Sequence, residues 1–280
     1  IDQVCSPEKT RRFVAGIPSA HLFWLPKVGH GFGVTRRWDA AYVRAYREIV
    51  RRAAERVAAL PVAGGDIAGL PLIEVPADSG EASLHRDTLA ILFTGDGGWA
   101  EIDKGIAHAL AQQGVSVVGW SSLRYFWQPR TPEEAARDLD RVIAHYTQAW
   151  GRRRVLLLGY SFGADVLPFI YNRLSEPQRT AVAAIALVGL SSHAEFEFHV
   201  TGWLHDEGQA RYATSPEIDR AVAPVLCVSG ADEPPVGCGT SHGRTVTLPG
   251  GHHFDRDYDR LGSVILDQVD AAMAEKETRR

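Results

Sequence analysis

Gly159-Tyr160-Ser161-Phe162-Gly163 has the residue pattern of a nucleophile elbow, G-x-S-x-G. In that motif a serine sits on a tight turn between small residues, so that its hydroxyl clears the sheet and meets substrate and base. The apolar run Val155–Leu158 ends at Gly159, and a helix is expected straight after Ser161. A serine hydroxyl is a poor nucleophile at neutral pH and needs a histidine to take its proton. With the chain order serine, acid, histidine, the base falls in Gly251-His252-His253-Phe254. Two adjacent histidines cannot both face one site. His252 is the expected base and His253 a supporting or surface residue, with the reverse as the alternative. The acid falls in Gly230-Ala231-Asp232-Glu233, and the sequence leaves Asp232 and Glu233 both open. Its role is to hold the histidine tautomer and stabilise the imidazolium that forms. The plain alternatives are a helix-capping serine and solvated loop carboxylates.

Serine attack on a carbonyl creates an oxyanion, which needs N–H donors already in place. One is expected from the backbone of Phe162. The other is expected from Thr94-Gly95-Asp96-Gly97-Gly98-Trp99, where Asp96 or Gly97 would donate. This loop lacks the P-loop lysine and the G-x-G-x-x-G spacing, so no nucleotide is implied and no cofactor is expected. His193, His199, His205 and His242 show neither H-E-x-x-H nor paired-cysteine spacing, and no metal site is expected.

The elements that must position these residues alternate. Strands are expected at Leu70–Val75, Thr88–Thr94, Val115–Trp120, Arg154–Gly159, Ala183–Leu190, Val225–Ser229 and Thr245–Leu248. Helices are expected at Asp103–Gln113, Glu133–Trp150, Phe162–Leu174 and Tyr258–Ala274. Thr131-Pro132 supplies an N-cap and a first-turn proline for the second of these. Strands alternating with helices imply an α/β fold with a parallel sheet covered on both faces. Phe196 and Phe198 alternate with charged neighbours, as in an exposed strand or a wall beside a pocket. Trp99, Trp120, Tyr125, Phe126 and Trp127 suit either a pocket lining or the core.

The chain has 280 residues, with 45% hydrophobic and 23% charged, an ordinary globular composition for one large or two smaller domains. A net charge of -4 without a long basic run argues against a nucleic-acid partner. No apolar run reaches the ~18 residues that cross a bilayer. The opening Ile1-Asp2-Gln3, without Met, reads as a processed or truncated chain, so the lack of a signal peptide is no argument for a cytoplasmic home. Cys227 and Cys238 would pair in an oxidising compartment, and buried free thiols are the alternative.

Residues 1–60 differ in character: a strand-like Ala20–Leu25, a Gly-rich turn and a long helix, Trp38–Leu60, precede a joint at 61–67 and a main domain at 68–280. Leu25-Pro26-Lys27-Val28-Gly29-His30-Gly31-Phe32 echoes Leu248-Pro249-Gly250-Gly251-His252-His253-Phe254. Aligning His30 with His252 also aligns Cys5 with Cys227, so residues 1–60 read as the tail of an earlier copy of the same fold. In this register Thr10 and Arg11 fall where Asp232 and Glu233 stand, and His30 is not expected to be catalytic.

Four motifs in order resemble the AcvB/VirJ family of bacterial virulence-associated proteins. They are Gly95–Trp99, Gly119-Trp120-Ser121-Ser122-Leu123-Arg124-Tyr125-Phe126-Trp127, Gly159–Asp165 and Gly251-His252-His253-Phe254-Asp255. The resemblance spans about residues 68–275. It implies an α/β-hydrolase fold, a periplasmic location and hydrolysis of lysyl- or alanyl-phosphatidylglycerol at the membrane surface. Ser161 would be the nucleophile and His252 the base. Members of the AcvB type carry two related domains in tandem, in keeping with the remnant at 1–60. VirJ-type members lack the first copy and are associated with secretion, so the resemblance also allows protein partners. Asp96 and Asp165 are the candidate carboxylates for the substrate's ammonium group, and Tyr125–Trp127 a candidate membrane contact. A general carboxylesterase or thioesterase and a non-catalytic interaction protein are the competing readings.

Overall fold

The computed structural model describes residues 6–17, 20, 22–30, 35–58, 67–77, 83, 85–197, 212–234, 236, 238 and 243–278. The chain divides into two compact units, Ile1–Ala59 and Leu60–Arg280. In the first, helix α1 (Pro7–Ala15) is capped by Ser6, with proline in its first turn. A 3-10 turn at Thr35–Arg37 leads into α2 (Asp39–Ala58). Residues 20 and 22–25, expected to be extended, belong to no strand. A strand needs a neighbour for its N–H and C=O groups, and the described part of this unit contains no strand to offer one. Cys5, Phe32 and 61–66 of the expected joint lie outside the described residues, whereas Ile67 is fully buried in the second unit's core.

The second unit begins with β1 (Leu72–Val75), β2 (Thr88–Phe93), α3 (Glu101–Gln112) and β3 (Ser116–Trp120). A single turn, α4 (Ser122–Tyr125), precedes α5 (Pro132–Ala149), β4 (Arg154–Tyr160), α6 (Phe162–Tyr171), α7 (Glu176–Ala181) and β5 (Val182–Val188). The two-residue strands β6 (His193–Ala194) and β7 (Tyr212–Ala213) pair with each other. Then follow α8 (Ser215–Asp219), β8 (Val225–Gly230), β9 (Gly243–Leu248), a 3-10 turn at Phe254–Arg256 and α9 (Tyr258–Thr278). The main sheet runs β1-β3-β2-β4-β5-β8-β9. Only β1 is antiparallel, at the edge beside β3.

This order explains the apolar runs. Leu89, Ile91 and Phe93 enter one core layer while Ala90 and Leu92 enter the other, so β2 is buried on both faces. Helices α5 and α6 cover the first layer; α3 and α9 cover the second. Helix α5 starts with a reciprocal cap: the Glu134 N–H is donated to Thr131 Oγ1 at 3.1 Å, and the Thr131 N–H to Glu134 Oε2 at 2.9 Å.

Candidate active site

Strands β3 and β4 flank β2, so the chain reverses its direction across the sheet between them. At such a switch point the loops at the carboxyl ends part and leave a crevice. The loop after β2 carries Gly95–Gly98, and Ser161 follows β4.

Ser161 adopts φ 52° and ψ −120°, a backbone that costs a non-glycine residue ~1–3 kcal/mol. Its surroundings enforce the turn. A Cβ at Gly159 would stand 2.5 Å from Gly163 O, and one at Gly163 would stand 2.2 Å from Phe93 O. Glycine at both positions lets α6 press onto the ends of β2 and β4. The Ser161 N–H is donated to Val188 O at 2.8 Å, which ties the serine to the end of β5.

His252 Nδ1 and Glu233 Oε1 are 2.6 Å apart. Asp232, by contrast, is exposed. The loop's own hydrogen bonds set this choice: Ala231 N–H is donated to Leu248 O at 2.8 Å, Asp232 N–H to Gly250 O at 3.1 Å and Glu233 N–H to Gly230 O at 3.2 Å. A Cys227–Cys238 disulfide closes the segment that carries Glu233. The imidazole rests against Gly189, which turns at φ 64°; a Cβ there would come within 2.7 Å of His252 Cε1. Val188, the acceptor for Ser161, immediately precedes Gly189, so serine and imidazole are both referenced to the end of β5. Tyr160 donates its hydroxyl to His252 O at 3.2 Å. His253 is exposed.

On the other side of the serine, a Cβ at Gly95 would lie 3.5 Å from Ser161 Cβ and 3.1 Å from the Tyr160 ring. Asp96 follows directly and is half-buried, whereas Gly97 is exposed. The Phe162 N–H is the first of α6, where a helix offers no acceptor of its own. Asp165 is 9% exposed and accepts the Ser191 N–H at 2.6 Å. Burial raises its carboxyl to about 7, against the Ser191 hydrogen bonds and with the Asp96 charge adding to the rise. Asp103, fully buried at the start of α3, accepts the Ala100 N–H at 3.0 Å. Burial raises it to about 7 as well, against the N–H groups of Ala100 and Gly95. The surroundings of Ser161 are therefore rich in carboxyl groups. Of the two carboxylates expected to meet an ammonium, Asp165 is committed to the Ser191 backbone and Asp96 is not.

Trp120, Tyr125 and Phe126 are buried, with Trp120 stacked on Phe93 at 4.7 Å and the Tyr125 hydroxyl donated to Asp138 Oδ2 at 2.5 Å. The expected membrane contact at Tyr125–Trp127 thus fails for its first two residues, which the core holds. Phe196 packs on Phe126 and Phe169, at 5.9 and 5.6 Å between centroids, as part of a wall that continues to Phe162. Phe198, His199, His205 and His242 lie outside the described residues. Among the described residues no group of three His, Cys, Asp or Glu is placed to hold a metal ion, and no helix is long and apolar enough to cross a membrane. Tyr160, Gly189 and Asp103 were not legible as site residues. Each acts through a distant contact, and only the elbow's variable position hinted at Tyr160.

The parallel sheet, the elbow at Ser161 and the crevice at the switch point define an α/β-hydrolase fold. Residues 87–273, more than half of the chain, match the family of bacterial virulence proteins VirJ, and the chain belongs to that family. Among solved structures, Est1E from Butyrivibrio proteoclasticus, with ferulic acid bound, is 13% identical at a TM-score of 0.53, covering 75% of this chain and 98% of its own. A candidate dienelactone hydrolase from Klebsiella pneumoniae is 16% identical at a TM-score of 0.51, covering 72% and 92%. MenH from S. aureus is 12% identical at 0.50, covering 72% and 98%. These likenesses concern the fold. No curated protein matches the chain.

Proposed function

We propose that the chain is a serine esterase that removes the lysyl or alanyl group from aminoacylated phosphatidylglycerol at the periplasmic membrane surface. The observation that carries the reading is the 2.6 Å pair of Glu233 and His252, anchored with the Ser161 elbow to the end of β5. Glu233 holds the Nδ1–H tautomer, which leaves Nε2 to take the Ser161 proton. Ser161 Oγ then bonds to the aminoacyl carbonyl carbon, and the oxyanion is met by the N–H groups of Phe162 and Asp96, with Gly97 next in line. Collapse breaks the ester bond. His252 protonates the departing glycerol oxygen, and water, deprotonated by His252, releases the amino acid from Ser161.

Charge supports the substrate class. A carboxylate beside a developing oxyanion opposes it, and an ammonium on the neighbouring carbon offsets that opposition. Asp96 therefore favours α-amino esters over neutral esters of equal size. Membership of the VirJ family supports the setting, and a disulfide such as Cys227–Cys238 persists in oxidising compartments.

The test is release of free amino acid from lysyl- and alanyl-phosphatidylglycerol in detergent by the parent and by Ser161→Ala. Release by the parent alone, reduced for both lipids in Asp96→Asn, is the expected result. Cleavage of simple aryl esters with neither lipid touched would instead assign a general carboxylesterase or thioesterase. Undiminished biological function in Ser161→Ala would assign a non-catalytic role.

A further inference from the structure

Helix α4 lies between two contacts with the candidate site. A Cβ at Gly98 in the loop after β2 would come within 3.4 Å of Leu123, and Phe126 stands 5.3 Å, centroid to centroid, from Phe162 beside the nucleophile. Arg124 is on this turn. Several arginines of this unit hold a partner: Arg153 and Arg154 meet Asp87, Arg173 meets Glu133, Arg220 meets Glu217, and Arg130 lies 4.9 Å over the Tyr125 ring. Arg124 is half-buried, yet among the described residues it has no ion pair, hydrogen bond or ring contact. Burial lowers its pKa and no carboxylate counters the shift. Its guanidinium nitrogens stay open to solvent, so an anion can reach them with no protein carboxylate in competition.

The topology adds position. Along the carboxyl edge of the sheet, Glu233 and His252 follow β8 and β9 on one side of the nucleophile strand β4. The loop after β2, and then α4 after β3, lie on the other side. The ends of β3 and β4 are two inter-strand spacings apart, about 10 Å, within the span of an extended ester substrate. A planar guanidinium pairs well with phosphate oxygens.

We infer that Arg124 is a specificity residue of this site and recognises a phosphate group, ester or diester, carried by the substrate away from the scissile bond. The inference rests on the esterase reading of Ser161 and adds an anionic pole to the cationic preference assigned to Asp96. A substrate with both charges suits the site better than one with either alone.

The probes are glycerol 1-phosphate and phosphatidylglycerol in neutral detergent micelles, each as an inhibitor of neutral aryl acetate hydrolysis. Glycerol and empty micelles are the controls. Both phosphates should inhibit the parent competitively, with inhibition constants raised about ten- to hundredfold in Arg124→Gln, the range of one charge-assisted hydrogen bond, and partly restored in Arg124→Lys. Inhibition by the phosphatidylglycerol micelles but not by glycerol 1-phosphate, equally lost in Arg124→Gln, supports the inference with the lipid headgroup as the source. No inhibition of the parent by either phosphate overturns it, as does an unchanged constant in Arg124→Gln. If Arg124→Gln does not fold, an Arg124→Lys constant equal to the parent's at low and high salt overturns it, and a raised one supports it. If the parent cleaves no ester, the esterase reading has failed. Calorimetric titration of glycerol 1-phosphate into parent and variant then decides the role of Arg124 separately.

Discussion

Gly29-His30 and Gly251-His252 stand in segments of similar local build. Each is followed by a 3-10 turn and a helix of about twenty residues, Thr35–Arg37 then Asp39–Ala58 in one case and Phe254–Arg256 then Tyr258–Thr278 in the other. Their surroundings differ. Strand β9 leads into His252, the β8 loop supplies Glu233, Gly189 seats the ring and Tyr160 holds the backbone. His30 is exposed, and no strand of the described residues leads into it. In the proposed mechanism a histidine motif with its helix is only the outer part of the device, and the parallel strands that carry Ser161, Glu233 and His252 at their carboxyl ends are the rest.

This contrast can be broken most sharply by paired substitutions. His252→Ala should lower kcat/KM for ester hydrolysis by about four to six orders of magnitude, as Ser161→Ala should, while His30→Ala stays within about twofold of the parent; steady-state rates on one aryl ester decide it. A comparable loss in His30→Ala would overturn the distinction. Glu233→Gln should cost about 10²–10⁴-fold in kcat, with Asp232→Asn near the parent, and the reverse ranking would reassign the acid. Gly189→Ala should reduce kcat by up to about 10²-fold through displacement of the imidazole, seen as a fall in kcat with a smaller change in KM.

Two smaller effects test the supports. Cys227→Ser with Cys238→Ser should lower the unfolding free energy by about 2–3 kcal/mol, measured by denaturant titration, because the loop bearing Glu233 loses its closure. Asp165 is the gentlest case. Its folded carboxyl binds the proton more tightly than the ordinary value of 3.8, being raised to about 7 by burial. Its contribution to stability is therefore complete below pH 3.8 and lost as pH rises through 7. Thermal unfolding at pH 4, 6 and 8 should show a shallower decline in Asp165→Asn than in the parent.

The sequence made the sheet and its central strands legible, because strands buried on both faces carry continuous apolar runs, as Thr88–Phe93 does. It also placed Ser161 in the turn between β4 and α6 and the histidine pair just after β9, because turn residues of these types have a recognisable local spacing. It could not separate Asp232 from Glu233, since adjacent carboxylates are distinguished only by which hydrogen bonds close the loop. Ala20–Leu25 read as extended from its apolar residues alone, but pattern without a neighbouring strand does not make a sheet. Tyr125 and Phe126 read equally as pocket or core, and burial under α5 decided for the core.

The most direct test of the central claim is labelling with a fluorophosphonate, followed by peptide mass analysis of the parent and of His252→Ala. A single adduct on the peptide that contains Ser161, formed rapidly in the parent and slowed at least a hundredfold or so in His252→Ala, is the predicted result. An adduct on another residue, no adduct at all, or equal labelling in the two proteins would contradict the account.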